Sequence, residues 1–258
     1  MHVVAAYLTV LTLGLCHIAL AVSRACENPR MFCISDPAER FISSQPWFGG
    51  LGAQLQQQVH ASIRQTEGAK GEVMLPLGSP AQGWHAVLSG LVMLRSSPQR
   101  TRASAFIGIP DGEWFGEGTA LKGGPLLYEV VALRPTRLLC LPLPMFNHLY
   151  NTSLAFTQYL AQHMNLRLGQ AMTMIEAGRT RSAEHRVALQ LSRLFWRRQR
   201  RLNLTQEELG QLAGLSRQTI NRVLQALVAE GIVTLDFGRV AILDDAALEA
   251  YLARTAAT

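Results

Sequence analysis

Five polar side chains near the C-terminal end are spaced so that they can share one face of a helix. They are Arg217, Gln218, Asn221, Arg222 and Gln225, and the residues between them are mainly apolar. Arg can donate two hydrogen bonds to guanine, and Gln or Asn can pair in the same bidentate way with adenine. This face therefore has the chemistry to read base edges in the major groove of DNA.

The surrounding sequence predicts the helix-turn-helix that such a face requires. Thr205 and Glu208 have the spacing of a capping box at the start of the first helix. Gly214 suits the turn, because a residue without Cβ adopts positive φ at little cost, and Ser216 can cap the second helix. Apolar residues at helical spacing predict the buried faces: Leu209, Leu212 and Ala213, then Leu215, Ile220, Val223, Leu224 and Leu227. An ordinary helical hairpin with a solvated polar face fits the same pattern.

The flanking residues favour nucleic-acid binding. Gly231 ends the second helix, and residues 232–235 and 239–242, joined by Asp236, Phe237 and Gly238, predict a β-hairpin wing. Residues 179–258 contain twelve Arg and no Lys against eight Asp plus Glu, a net charge of +4 that suits phosphate contact. The densest basic cluster lies just upstream and fits phosphate contact or a solvated helix end equally: Arg193, Arg197, Arg198, Arg200 and Arg201.

Composition sets broader limits on the class of protein. With 258 residues the chain has room for two modest domains. Its formal charge of +6 and pI near 9.5 permit nucleic-acid binding without requiring it. Four cysteines without a CxxC pair do not indicate a secreted disulfide scaffold, and we expect a cytoplasmic protein.

The N-terminal extension, residues 1–30, is dominated by an apolar run from Val3 to Val22 that is long enough to span a bilayer. No Lys or Arg precedes the run, which argues against a secretory signal peptide. The first basic residues, Arg24 and Arg30, follow it, so a membrane anchor leaves the rest of the chain in the cytoplasm. The alternative is an over-extended start, with translation beginning naturally at Met31.

The middle of the chain has the pattern of a small β-sandwich. Between residues 67 and 144, short apolar stretches alternate with Gly, Pro, Ser and Asp, and no helix of comparable length is expected between them. Ser89-Gly90, Ser97-Pro98 and Pro110-Asp111-Gly112 supply turns. The predicted strands are Trp84–Leu88, Leu91–Leu94, Ala103–Ile109, Tyr128–Leu133 and Arg137–Leu141.

From about Pro144 to Ala177 the apolar period becomes helical. A helix of this length exceeds the diameter of either small domain at about 1.5 Å per residue. Its apolar stripe therefore needs a partner, and a two-stranded coiled coil between two copies of the chain is the simplest one. Packing on the β-domain alone is the alternative. The stripe consists of Phe156, Leu160, Met164, Leu168, Ala171 and Ile175.

The order of sandwich, long helix and winged helix-turn-helix resembles the CRP/FNR family of bacterial transcription regulators. The resemblance covers Trp47 to Ala250, and its most specific segment is GLSRQTINR at Gly214 to Arg222, with KGE at 70–72, LSG at 88–90 and WFGEG at 114–118. It implies an α+β protein with a jelly-roll sensor domain that resembles cyclic-nucleotide-binding domains. We expect this sensor at residues 31–144, a dimerisation helix at 145–178 and a DNA-binding domain at 179–258.

The resemblance also assigns roles to residues. Ser216 and Thr219 are expected to contact phosphate or base, and Arg217, Gln218 and Arg222 to read the half-site. Many relatives have Glu at the position of Gln218, so the preferred half-site can differ from the TGTGA-like and TTGAT-like sites of the best-known members. The implied partners are double-stranded DNA, a second copy of the chain, RNA polymerase and an unidentified small-molecule effector. The complete set of candidate DNA contacts is Thr205, Ser216, Arg217, Gln218, Thr219, Asn221 and Arg222.

The effector is not expected to be cyclic AMP. In relatives that sense it, a Gly-Glu pair holds the ribose and an Arg-Ser pair about ten residues later neutralises the phosphate. This chain keeps Gly116 and Glu117 but has Leu127 and Tyr128 at the later positions. A desolvated phosphate beside Leu and Tyr loses its charge partner, at a cost of several kcal/mol. Glu117 itself can be retained for its turn alone, and the spacing gives no reason for Arg134 or Arg137 to replace the missing Arg.

No cofactor or metal site is expected. An iron–sulfur cluster is the best alternative, since Cys140 falls near a ligand position of the fumarate-nitrate regulators. However, Cys16, Cys26 and Cys33 are spaced too loosely for clustered ligands. Haem bound through isolated histidines, namely His85, His148 or His163, has still less support.

The sequence contains no GxSxG, P-loop, HExxH or paired metal-ligand spacing, so no catalytic residue is expected. Two hypotheses remain. The first is a dimeric transcription regulator that reads a palindromic promoter site under the control of an effector bound by the β-domain. The second is a sensor or signalling module whose helix-turn-helix serves protein contact.

Overall fold

The computed structural model describes residues 35–95, 105–180, 182–197, 200–237 and 239–256. The described residues all belong to one compact unit, Ile34–Thr258. The apolar run and Cys16, Cys26 and Cys33 lie outside the described residues. Among the helices described, none combines the length and apolar character that crossing a bilayer requires.

The predicted sandwich is confirmed. Helices α1 (Asp36–Ser43) and α2 (Ala53–Ser62) precede two four-stranded antiparallel sheets. The strands are β1 (Arg64–Gly68), β2 (Val73–Leu75), β3 (Gly83–Ser89), β4 (Leu91–Arg95), β5 (Ala105–Pro110), β6 (Trp114–Phe115), β7 (Glu129–Ala132) and β8 (Thr136–Pro142). The order is β1-β8-β3-β6 in one sheet and β2-β7-β4-β5 in the other. The five predicted strands correspond to β3, β4, β5, β7 and β8.

The expectation that no helix interrupts these strands was wrong. Helix α3 (Glu117–Lys122) lies between β6 and β7, and it is nearly as long as the longest strands. Its N-cap is Gly116, which adopts the left-handed conformation with φ of 86°. The chain therefore turns directly from β6 into a short helix.

A cluster of aromatic side chains joins the sandwich to the helices around it. The indoles of Trp84 and Trp114 stack with centroids 4.1 Å apart, and Trp47 packs edge-on against Phe156 at 5.1 Å. All four rings are buried. Phe156 belongs to the long helix that follows the sandwich, Leu154–Thr180. The cluster therefore holds the start of that helix against the sensor domain.

The predicted long helix is two helices, α4 (Leu143–Thr152) and α5 (Leu154–Thr180). Ser153 between them is extended, with φ of −115° and ψ of 106°. Its hydroxyl accepts a hydrogen bond from the backbone N–H of Phe156, which favours a new helix start there. The apolar stripe is also divided, since Phe156 and Leu160 are buried in the sensor core whereas the later members are exposed.

The C-terminal part is the predicted winged helix-turn-helix. Helices α7 (Gln206–Ala213) and α8 (Arg217–Ala229) form the helix pair, and strands β10 (Val233–Asp236) and β11 (Arg239–Ile242) form the wing. Three elements were not predicted: α6 (Ala183–Leu191), α9 (Asp245–Ala256) and β9 (Arg201–Thr205), which pairs with β11. The apolar residues predicted for α7 and α8 are buried, except Leu215, which is half-buried.

The sensor and DNA-binding domains share a hydrophobic core. Leu91, Met93 and Leu133 of the sensor belong to the same buried cluster as Leu209 and Leu212 of α7. The backbones also approach closely, because a Cβ on Gly108 of β5 would lie 2.8 Å from a methyl group of Leu212. Helix α7 is therefore packed directly on the sensor sheet.

An ion pair crosses this junction. Arg134 donates two hydrogen bonds to the Glu208 carboxylate, from Nε at 2.8 Å and from Nη2 at 2.7 Å. The same carboxylate completes the capping box of α7, because its Oε2 accepts from the backbone N–H of Thr205 at 2.8 Å. The Glu208 side chain is only 6% exposed, so it depends on these partners. A second pair, between Lys70 and Glu207, is open to solvent.

We expect Arg134→Met to lower the free energy of unfolding by about 3 kcal/mol, because it leaves the buried Glu208 carboxylate without its cation. Lys70→Met removes the exposed pair and should cost less than about 1 kcal/mol. The double variant R134M/E208Q should recover part of the loss, since Gln can still complete the capping box. Urea unfolding of the three variants measures these effects, and equal losses for Arg134→Met and Lys70→Met would contradict this assignment.

Candidate nucleic-acid interface and sensor cavity

The predicted caps and turn place α8 on the surface. The Thr205 hydroxyl accepts from the backbone N–H of Glu208 at 3.2 Å, and the Ser216 hydroxyl accepts from that of Thr219 at 3.1 Å. Between the helices, Gly214 has φ of 64°, in the left-handed region that favours glycine. These local contacts determine where α8 begins and which of its faces is free.

The polar face predicted for base reading is exposed. Arg217, Gln218, Asn221, Arg222 and Gln225 are all solvent-accessible, whereas the opposite face of α8 is buried. Asn221 lies 3.4 Å from Gln206 of α7, a long hydrogen bond that leaves its amide accessible. The predicted contacts from the first turn of α8 therefore lie together on one accessible surface.

Four further candidate residues have structural partners as well. One of them is Thr219, whose hydroxyl is hydrogen-bonded to that of Ser216 at 2.9 Å. The Arg222 guanidinium is 2.7 Å from Glu184 at the start of α6, yet its side chain is 64% exposed. A backbone hydrogen bond at the helix start and then Arg222 lower the pKa of Glu184. Thr205 and Ser216 use their hydroxyls as caps. Arg222 therefore uses part of its guanidinium for Glu184, and its other N–H groups are open to a base or phosphate.

The upstream basic cluster is partly a structural feature. Asp245 of α9 pairs with Arg193 at 2.5 Å and with Arg200 at 2.6 Å. In these two residues the ion pair with Asp245 competes with the predicted phosphate contact. Arg197 and Arg201 are exposed, and Arg198 lies outside the described residues. At the wing tip, Phe237 is 99% exposed with φ of 46°, which sequence reasoning did not single out.

The four predicted effector residues line one cavity. Gly116, Glu117, Leu127 and Tyr128 border a space of about 420 Å³ between the sandwich and helix α5. Leu127 lies at the mouth and is 72% exposed. Burial raises the pKa of the Tyr128 phenol, which interacts with Thr119. The cavity also includes Arg167 and Gln170 of α5, and no signal in the sequence connects these two residues with Glu117.

Charged groups surround the inner end of the cavity. His163 Nε2 donates to the backbone oxygen of Trp114 at 3.1 Å and lies 3.6 Å from Glu117 Oε2. Burial on its own raises the pKa of Glu117, but His163, a backbone hydrogen bond at the helix start and Arg167 together outweigh burial, and the pKa lies below its ordinary value. Glu117 is therefore an ionised carboxylate at neutral pH.

Arg134 and Arg137 do not line the cavity. Arg134 is paired with Glu208, and the Arg137 guanidinium donates to Ser89 at 3.0 Å. The cation inside is Arg167, which donates to the Trp114 backbone oxygen at 2.6 Å and to Gln170 at 2.8 Å and lies 3.4 Å from Glu113. The two Nη atoms thus already have protein acceptors, whereas the buried Nε has no hydrogen-bond partner among the described residues.

The residues considered for cofactors are separated in the structure. Cys140 is buried in β8, and burial raises the pKa of its thiol to about 11. His85 is buried against Phe115, His148 is exposed, and His163 lies beside Glu117 at the cavity. Within the described ranges, no three His, Cys, Asp or Glu side chains are placed to hold a metal ion.

The fold and the exposed polar helix define a winged helix-turn-helix protein with a β-sandwich sensor domain. Residues 185–251 match the family of Crp-like helix-turn-helix domains, and residues 66–153 match the cyclic nucleotide-binding domain family. The chain is 30% identical over 192 residues to the transcriptional regulator SdrP of Thermus thermophilus, covering 70% of this chain and 91% of that protein. It is 29% identical over 209 residues to the cyclic AMP receptor protein of the same organism, covering 81% and 97%.

A solved structure agrees with these matches. It is a CRP/FNR-family transcriptional regulator, also of Thermus thermophilus, with 26% identity and a TM-score of 0.54, covering 74% of this chain and all of that one. The chain therefore belongs to the CRP/FNR family and is a DNA-binding transcription regulator. The hypothesis that its helix-turn-helix serves only protein contact is not supported.

His85 should make the stability of the sensor domain depend on pH. Burial lowers its pKa in the folded protein to about 4, from an ordinary value near 6.5. Between these values His85 binds a proton more tightly in the unfolded chain than in the folded protein. The free energy of unfolding is therefore highest above about pH 6.5 and falls by up to about 3 kcal/mol towards pH 4. In urea unfolding at several pH values, His85→Gln should show a shallower decline. Identical declines would contradict this role for His85.

Proposed function

We propose that the chain acts as a homodimer that reads a palindromic promoter site with α8, under the control of an effector bound in the sensor cavity. The observation that carries this proposal is the exposed polar face of α8, beside a wing and above a buried apolar face. A recognition helix of this kind contacts bases from its first turns. Two copies related by a twofold axis then contact two half-sites about one helical turn apart.

The exposed stripe of α5 supports the dimer. Leu168, Met172 and Ile175 are each about 60% exposed, and Met164 precedes them one turn earlier. Spacings of three and four residues place these side chains on one face, which a second α5 can cover in a two-stranded coiled coil. Phe156 and Leu160 are used within the protomer, so the proposed contact begins near Met164.

The charges around the cavity support an effector other than cyclic AMP. Arg167 lines the cavity with Glu117 and lies 3.4 Å from Glu113, so a phosphate bound there competes with two carboxylates for this cation. Lys122, which also lines the cavity, is exposed to solvent. Leu127 and Tyr128 supply no further positive charge. Replacing protein acceptors by a desolvated phosphate in this setting is unfavourable.

The remaining parts of the proposal follow from the role of a promoter regulator. We expect the protein to act in the cytoplasm, where bacterial DNA lies, and to contact RNA polymerase when bound at a promoter. We assign no catalytic residue. The known relatives are transcription regulators, and we expect this chain to act by binding.

Selection of bound duplexes from a random library tests the DNA-binding proposal. The full chain should enrich a palindrome, and R217A/Q218A/R222A should bind it at least about 100-fold more weakly, because the groups that pair with bases are removed. Arg254→Ala, which removes an exposed Arg paired with Glu230, should bind almost as well as the original chain. Enrichment of the same site by the triple variant would refute the assignment.

The dimer contact is tested by placing charge on the exposed stripe. L168E/I175E should convert the dimer to monomer at micromolar concentration, because carboxylates replace apolar contacts and face one another across the interface. Gln162→Glu adds a carboxylate at an exposed position on a different face of the same helix and should remain dimeric. Analytical ultracentrifugation distinguishes the two results, and an L168E/I175E dimer of unchanged affinity would exclude this interface.

A further inference from the structure

We infer that the cavity takes a small, uncharged, mainly apolar molecule with one hydrogen-bond donor, and that Gln170 passes the effect of binding to the DNA-binding domain. This inference rests on the proposed role of the cavity as the effector site. It adds the chemical class of the effector and the route of its action.

The walls of the cavity select for an apolar body. They are formed mainly by Leu94, Ile107, Ile109, Phe115, Ala171 and Met174. The volume of about 420 Å³ lies in the lower part of the range that is usual for small-molecule sites. Burial of apolar ligand surface against these side chains is favourable, whereas they provide no hydrogen-bond or charge partner for a ribose or a phosphate.

The charge of the cavity disfavours an anion at its inner end. Arg167 lines the cavity together with Glu117 and lies 3.4 Å from Glu113, which is outside the lining. Its Nη atoms donate to Trp114 and Gln170, and its buried Nε has no hydrogen-bond partner among the described residues. Lys122 also borders the cavity, but its side chain is solvent-exposed. With two carboxylates beside the single guanidinium, the described residues give the inner end no excess positive charge, which favours a neutral ligand over an anion.

One acceptor inside the cavity is unused. Glu117 Oε2 is buried and accepts no hydrogen bond from any residue that the structure describes, since His163 Nε2 is 3.6 Å away. A buried carboxylate oxygen without a donor is costly, and a ligand hydroxyl can supply the missing hydrogen bond. Arg167 Nε likewise has no partner among the described residues, so a ligand hydroxyl, which can both donate to Glu117 and accept from Arg167, suits this end of the cavity.

Two residues of the cavity wall contact the DNA-binding domain directly. Gln170 accepts from Arg167 and donates through Nε2 to the backbone oxygen of Leu194 at 2.5 Å. Gln190 of α6 lies 3.3 Å from the Met174 sulfur and 3.5 Å from the backbone oxygen of Leu212 in α7. A ligand that moves Arg167 or Met174 therefore alters contacts that hold α6 and α7.

Titration calorimetry of the full chain with a matched pair of probes tests the ligand class. We expect 4-propylphenol to bind in the micromolar range, at least about tenfold more tightly than 4-propylanisole, which lacks the donor. Glu117→Gln keeps an acceptor and should keep this preference, whereas Glu117→Leu should lose it while still melting cooperatively. Equal binding of both probes to the original chain, no binding of the phenol up to about 1 mM, or tighter binding of cyclic AMP would overturn the inference.

The coupling is measured with the selected duplex. Saturating 4-propylphenol should change DNA affinity by at least about fivefold. Gln170→Leu should lose this change even at phenol concentrations that saturate the variant in its own calorimetric titration, and Gln162→Leu should keep it. A retained change in Gln170→Leu would exclude Gln170 as the route. If no duplex is ever selected, the proposed function fails, whereas the calorimetric result on the ligand stands independently.

Discussion

The ion pair between Arg134 and Glu208 connects the two halves of the molecule at the residue where the first helix of the DNA-binding pair begins. Glu208 has two roles, because one carboxylate both accepts from Arg134 and completes the capping box with Thr205. The start of α7 is consequently fixed by a sensor residue. Since α8 follows α7 after a glycine turn and shares its core, the orientation of the recognition helix depends on the same contact.

Local signals explain why the DNA-binding domain could be predicted well. Thr205, Glu208, Gly214 and Ser216 each determine backbone geometry within a few residues, and the apolar spacing of α8 specifies its buried face. The strands with long apolar stretches were predicted for the same reason. In contrast, β1 is polar and mostly exposed, and β6 has only two residues, so neither has a pattern that sequence reasoning can detect.

Contacts between distant segments could not be predicted. Nothing in the order of residues indicates that Arg167 and Gln170 face Glu117, or that Asp245 pairs with Arg193 and Arg200. The break at Ser153 was also missed, because the helical period continues through it and the extended backbone depends on the packing of Phe156. Such positions are determined by tertiary packing, which overrides local preference.

The sensor domain and the DNA-binding domain are therefore packed together, and the junction formed by the shared core and the Arg134–Glu208 pair determines the position of α8. Spin labels on Gln225→Cys, in a chain whose native cysteines are replaced by Ser, report the distance between the two α8 helices of the proposed dimer without DNA by pulsed electron paramagnetic resonance. A narrow distance distribution in this chain, broadened by Arg134→Met, is the predicted result. A distribution that is equally broad with and without Arg134 would contradict the control of α8 by this junction.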